Sequence, residues 1–351
     1  MSGSPRVLVV YNDDGALCAG AEEDRLAVAG VRGAVDGILA SLAVLGVHAE
    51  ARPVPASTRD VLGFLSGLDC ELVFNQVESL CGDARGESRF AAAMELSGLP
   101  FTGNRPRAMT LCLDKTLARA VLRDAGVPVA RGVVLAPGSL DPRGPGARAL
   151  GELSFPVIVK PAREDASHGI ALDSVAADAG GALGLCRRIH DRYRQPALVE
   201  EYLAGREFNL ALLEGASPDE PRLLSISEMD FTGFPEGAPR IVTYGAKWIE
   251  DSPEWRGTRS VAAVVDEPLA DRLRSAARGA WRALGLSGYA RVDLRVEDGG
   301  RGRLAVIDVN PNPDLSPDAG FSLTAQRSGL THAELVAWIL DAAQSGRSAR
   351  A

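Results

Sequence analysis

The stretch VIDVNPNPDLSP, residues 306–317, decides how this chain is read. An apolar run ends in Asp308 and Asn310, two positions apart, and Pro311, Pro313 and Pro317 follow. Side chains at i and i+2 of a strand point to the same face, so a carboxylate and an amide oxygen converge there. The prolines fix φ and take freedom out of the turn that follows. The result is a stiff, oxygen-rich ledge, the ligand chemistry of a hard cation such as Mg²⁺. A strand end with an ordinary Pro/Asn/Asp turn has the same local pattern, so the neighbouring segments must decide between the two.

The segment just before it favours the ledge. YARVDLRV, residues 289–296, puts Arg291 and Asp293 on one strand face, and the turn EDGGRGR leads from it into RLAVIDVN. If the two strands pair, three oxygen-bearing side chains and one guanidinium share a surface. Such a set is costly to bury without a cation, because unpaired buried charge is expensive.

Working outward, 351 residues allow a large core and two or three domains. Hydrophobics at 46% and charged residues at 24% are those of a soluble globular protein. A net charge of −8 argues against general nucleic-acid or acidic-membrane binding, both of which want a cationic face. Five cysteines, at 18, 70, 81, 112 and 186, form no CxxC pair and leave one over, which reads as reduced intracellular thiols. The N-terminal apolar run is too short for a signal-peptide core. LAVAGVRGAVDGILASLAVLGV is interrupted by Arg32 and Asp36 and reads as a helix with a buried face rather than a membrane span. The expectation is a cytoplasmic protein.

Strands at VLVVY, HAEARPVP and ELVFNQ alternate with helices, which predicts a parallel sheet. The loops after its first and last strands, YNDDG and NQVESLCGDARGES, should lie at its carboxyl edge, where such sheets bind ligands. A first boundary falls near residue 105, and the Pro/Gly-rich segment 137–148 reads as an exposed loop. FPVIVKPA then ends in Lys160 before the small-residue loop REDASHG, whose Ser167, His168 and Gly169 could fold over a phosphate. Neither GxxxxGK[ST] nor a strand-following GxGxxG is present, so any phosphate grip is of another kind. ALVEEYLAGREFN sets Glu200, Glu201 and Glu207 around a strand end, where carboxylates can accept from an exocyclic amine or ribose hydroxyls.

Taken in order, DK at 114–115, VIVKPA, VEEYLAGREF, TYGAKW, YARVDLRV and VIDVNPNP resemble the ATP-grasp superfamily, and within it the D-alanine–D-alanine ligase branch. The six blocks keep their order over most of residues 100–345. The resemblance implies an α/β chain with an N-terminal Rossmann-like unit, 1–105, and two α+β units, 106–198 and 199–345, clamping ATP, with a tail at 346–351. It implies a ligase that joins a carboxylate to an amine through an acyl-phosphate, using two Mg²⁺ or Mn²⁺ ions. By the same resemblance Lys115, Lys160 and Lys247 would hold phosphates under a loop containing Ser167. Glu200 and the backbone of Tyr202 and Leu203 would meet adenine, and Glu207 the ribose. Asp293, Asp308 and Asn310 would bind the metal ions, and Arg291 would stabilise the transferred phosphoryl group. Asp308 departs from the glutamate usual in the family, shortening the ligand by one methylene.

The substrate side departs further. The family's glutamate-bearing glycine loop and its histidine–glycine motif have no counterpart in YNDDG and FNQVESLCGDARGES, and no histidine occurs from 49 to 167. An acid, Asp314, stands near the family's oxyanion-hole glycine. Asp13, Asp14, Glu78, Asp314 and Ser316 are therefore the candidates for reading an amine or another polar substrate. The expected partners are a small carboxylate and a small amine, with room for a homodimer. A true D-alanine–D-alanine ligase and a catalytically silent nucleotide-binding module are the alternative readings.

Overall fold

The computed structural model describes residues 6–13, 31–55, 57, 59–141, 143–217, 219–298 and 302–345. Three sheets organise them. The first is parallel, with β1 (Val7–Asn12) between β2 (Ala49–Val54) and β3 (Leu72–Gln76). Its faces are covered by different layers. Val7, Val9 and Tyr11 pack with helices 31–44 and 332–344, while Leu8 and Val10 pack with helix 85–97. Because all three strands run the same way, the segments after β1 and β3 emerge at one edge, as the alternating pattern predicts.

The second sheet is antiparallel, in the order β4-β7-β5-β6, from β4 (Gly132–Leu135), β5 (Val157–Pro161), β6 (Val175–Ala176) and β7 (Ala197–Glu201). Helix 179–193 covers it, burying Ala182, Cys186 and Ile189. The third sheet is also antiparallel, in the order β10-β9-β8-β11-β12. Its strands are β8 (Gly205–Ser217), β9 (Glu220–Asp230), β10 (Arg259–Ala262), β11 (Tyr289–Glu297) and β12 (Leu304–Asn310).

Strand alternation explains how this sheet positions a site. Ala290, Val292, Leu294 and Val296 of β11 enter a core shared with helix 267–284, so Arg291, Asp293 and Arg295 must face the other way. Helix 267–284 is started by Asp266, which accepts the Leu269 N–H at 2.9 Å, and ended by Gly285 in the left-handed conformation. The 137–148 segment is not wholly loop, since a helix begins at Pro145, where proline's fixed φ favours a first turn. The polar stretch 231–257 likewise holds two short helices, Tyr244–Trp248 and Pro253–Gly257. No helix among the described residues is long and apolar enough to cross a membrane.

Candidate active site

The hairpin read from sequence forms. Arg291 lies opposite Asn310 and Asp293 opposite Asp308, with a bulge after Asp293 that sets Leu294 against Val306. Asp293 is the hub. Arg291 grips it twice, Nε to Oδ1 at 2.7 Å and Nη2 to Oδ2 at 2.9 Å. Asn209 of β8 donates to Oδ1 at 2.7 Å and Asn310 to Oδ2 at 3.1 Å. Burial disfavours the Arg291 charge, but the Asp293 carboxylate outweighs it and raises the guanidinium pKa further.

Two lysines reach the same ledge from other elements. Lys115 opens helix Lys115–Asp124, capped by Asp114, and its Nζ donates to Asp308 Oδ1 at 2.8 Å. Burial pushes Asp308 up, yet Lys115 and then Lys160 hold it below the usual carboxylate range. Lys160, on β5, donates to the Ile307 carbonyl at 3.1 Å and lies 2.6 Å from Glu200 Oε2. Glu200 is buried and meets a second cation, with Arg119 Nε 2.6 Å from Oε1. Lys247 points into the same space from helix Tyr244–Trp248. Enclosure by the cleft walls, then repulsion from Arg291, lowers its pKa.

These groups surround one cavity of about 810 Å³. Of the residues singled out from sequence, Lys115, Lys160, Ser167, Glu200, Tyr202, Leu203, Glu207 and Lys247 all line it, as do Arg291, Asp293, Asp308 and Asn310. Tyr202 and Leu203 follow β7 at one end, where Ile158, Met229 and Ile241 supply apolar wall. Glu207 is buried there beside Arg295, whose Nη1 is 3.3 Å away; burial raises its pKa and Arg295 opposes the rise.

A pair of loops roofs the cavity. Ser167 donates to the Val242 carbonyl at 3.0 Å, Trp248 Nε1 to the Ala166 carbonyl at 2.9 Å, and the Tyr244 N–H to Ile170 at 2.9 Å. Loop 162–170 and segment 241–248 are thus clasped together as one cover, with His168 stacked on Tyr244.

At the opposite end the wall turns acidic. Glu78, after β3, lines the cavity together with Asp314. Burial, then Asp314 and Asp165, pushes the Glu78 carboxyl up to about 8. Glu87, in helix Arg85–Ser97, belongs to the same wall and escaped the sequence reading. An acid in a helix's first turn usually serves the helix dipole, so nothing local sets it apart. Two candidates do not reach the cavity. Asp13 is exposed and pairs with Arg32 at 2.7 Å, and Ser316 folds back to donate to Asp314 at 2.7 Å. Asp14 lies outside the described residues.

The ledge offers two carboxylates and one amide, oxygen ligands suited to Mg²⁺ rather than zinc. Among the described residues no group of three or more His, Cys, Asp or Glu side chains could hold a metal ion, so the amide of Asn310 has to complete any such set. Asp293 and Asp308 are balanced by Arg291 and Lys115, and a divalent ion would take over part of that role.

Comparison with known proteins identifies the family and the fold. Residues 121–341 match the family model described as D-ala D-ala ligase C-terminus. An uncharacterized protein, y4sG, from Sinorhizobium fredii is 32% identical over 78% of this chain and 74% of its own length. A D-alanine--D-alanine ligase of the same organism is 26% identical over 81% of this chain and 84% of its own. The crystal structure of D-alanine--D-alanine ligase from Bacillus anthracis complexed with ATP superposes with a TM-score of 0.74 at 18% identity, covering 100% of both chains. The fold is therefore the ATP-grasp fold, and the chain belongs to the D-alanine–D-alanine ligase family.

Proposed function

We propose that this chain is an ATP- and Mg²⁺-dependent carboxylate–amine ligase, ADP-forming, acting on small amino-acid substrates through an acyl-phosphate. The observation that carries the reading is the convergence of Lys115, Lys160, Lys247 and Arg291 with the Asp293–Asp308–Asn310 ledge around one cavity. Attack of a carboxylate on a triphosphate brings anion towards anion, so fixed positive charge is what the reaction needs.

ATP would lie with its base between Tyr202, Leu203 and Ile158 and its ribose near Glu207. Glu200, held by Arg119 and Lys160, keeps lone pairs for an exocyclic amine. Lys115, Lys160 and Lys247 would meet the phosphates under the clasped loops, which exclude water from a hydrolysable acyl-phosphate. Asp293, Asp308 and Asn310 would hold Mg²⁺, which would neutralise negative charge developing on the phosphates. Arg291, anchored on Asp293, is placed to receive charge on the transferred phosphoryl group.

The substrate end sets the chain apart from an enzyme joining two D-alanines. Glu78 and Asp314 favour a ligand with a cationic group and disfavour a free carboxyl terminus there. The test is a panel of L- and D-amino acids offered pairwise with ATP and Mg²⁺, read by phosphate release and product mass. At least one pair should release phosphate with an amide product. ATP binding without release for any pair would leave a nucleotide-binding module, and robust D-alanyl-D-alanine synthesis would overturn the substrate assignment.

A further inference from the structure

Asn312 carries an amide whose orientation is fixed. Its Oδ1 accepts the backbone N–H of Asn104 at 2.9 Å. Gly103 approaches so closely that a β-carbon there would lie 2.6 Å from the same oxygen. The Asn312 Nδ2 must therefore face the other way, where it donates to Glu87 Oε1 at 3.1 Å. Asn104 is itself fully buried, donating to the Tyr289 carbonyl at 2.7 Å and accepting the Ser287 N–H at 2.9 Å. The amide that aims Glu87 thus rests on a junction of three chain segments.

Two arginines flank Glu87 in DARGESR, residues 83–89, and neither serves it. Arg85 Nε lies 2.9 Å from Asp83 Oδ1 and Arg89 Nη1 lies 3.2 Å from Asp83 Oδ2. Among the described residues Glu87 has a neutral donor and no ion-pair partner. It also lines the 810 Å³ cavity. A carboxylate aimed into an active-site cavity, with its nearest cations diverted, is arranged for charge that a ligand brings.

We propose that Glu87, aimed by Asn312, is the specificity-determining carboxylate that binds the ammonium group of the substrate whose carboxyl is activated. The inference rests on the ligase reading above. Chemistry decides which substrate it is. An amine held as an ammonium against a carboxylate keeps its proton and has no lone pair for attack, whereas the attacking amine must be neutral. The held group therefore belongs to the carboxyl donor, and holding it protonated also stops that substrate from attacking a second copy of itself. Burial, then Asp165, pushes the Glu87 carboxyl well above its ordinary range, so an arriving ammonium should displace a proton.

The test compares each productive amino acid with the hydroxy acid that replaces its ammonium by a hydroxyl, offered as carboxyl donor with ATP and Mg²⁺. Glu87→Gln keeps an acceptor for Asn312 and removes the charge. It should lower kcat/KM for the amino acid by about 10–100-fold, the range for a hydrogen bond to a charged group. The hydroxy acid should change little, and ATP affinity and the far-UV circular dichroism spectrum should match the native enzyme. Glu87→Asp, which keeps the charge, should recover part of the lost discrimination. Amino acids preferred over hydroxy acids as strongly in Glu87→Gln as in the native protein would overturn this assignment while leaving the ligase reading intact. A native protein silent across the whole panel would overturn both.

Discussion

Lys115 and Asp308, 193 positions apart in the chain, meet at 2.8 Å. The lysine begins a helix capped by Asp114, and the aspartate sits near the end of the last strand of the largest sheet. Their contact draws helix Lys115–Asp124 onto the ledge. It also sets a cation beside a carboxylate at the point where the bulge in β11 and β12 shifts the register. The cation facing Asp308 is therefore supplied from outside the hairpin, whereas the one facing Asp293, Arg291, lies within it.

That balance makes Asp293→Asn a sharp probe of catalysis. The substitution keeps shape but takes away the anion that Arg291 grips with two hydrogen bonds. Phosphate release should fall by about 10²–10³, the cost of losing one preorganised electrostatic stabiliser, while circular dichroism stays native. Turnover within a few-fold of the native rate would remove Asp293 from the reaction.

Two glycines separate backbone strain from steric clash. Gly285 and Gly288 have φ of +64° and +63°, so an alanine at either suffers the same left-handed penalty. A β-carbon at Gly285 meets nothing within 4 Å, whereas at Gly288 it would lie 2.9 Å from the Gly103 Cα. Gly285→Ala should cost about 1–2 kcal/mol. Gly288→Ala should cost more and disturb the Asn104 junction, lowering the unfolding midpoint further. Equal midpoints for the two variants would show that the 103–288 approach is not tight.

How much of this was legible in sequence depends on period and distance. The β11–β12 hairpin was readable because alternation puts Arg291 and Asp293 on one face and an acidic–glycine turn joins the strands. The bulge after Asp293 was not, since a one-residue slip leaves no mark in composition. The 137–148 segment hid a helix because Pro145 stands among other prolines and glycines, where a helix-start signal looks like a turn signal. The short helices of 244–257 owe their placement partly to bonds such as Trp248 to Ala166, made far along the chain. Glu87 was illegible for the same reason. Its partner Asn312 is 225 residues away, and DARGESR by itself reads as a solvated helix start.

Glu78 gives a pH signature with a definite sign. Its folded-state pKa is raised from 4.5 to about 8 by burial, then by Asp314 and Asp165. The folded state therefore holds this proton after the unfolded chain has released it. The stability it contributes is fully present below about 4.5 and is lost as pH rises towards 8. Glu78→Gln, which cannot ionise, should melt with the native protein at pH 4.5 and above it at pH 8–9. Parallel melting curves across that range would place Glu78 in a more solvated setting.

The clasp over the cavity should govern nucleotide retention more than folding. Trp248 Nε1 donates to the Ala166 carbonyl at 2.9 Å, tying the loop after β5 to the segment that carries Lys247. Trp248→Phe keeps an aromatic ring beside Tyr244 and removes that single donor. A typical hydrogen bond contributes about 1 kcal/mol net, which corresponds to roughly a fivefold shift between closed and open cover. ATP dissociation should quicken by about that factor, measured by stopped-flow displacement of a fluorescent ATP analogue. More ATP should also be hydrolysed without ligation, because an acyl-phosphate under a looser cover meets water. If dissociation and coupling both match the native protein, the two loops do not move as one and the Trp248 bond is merely local.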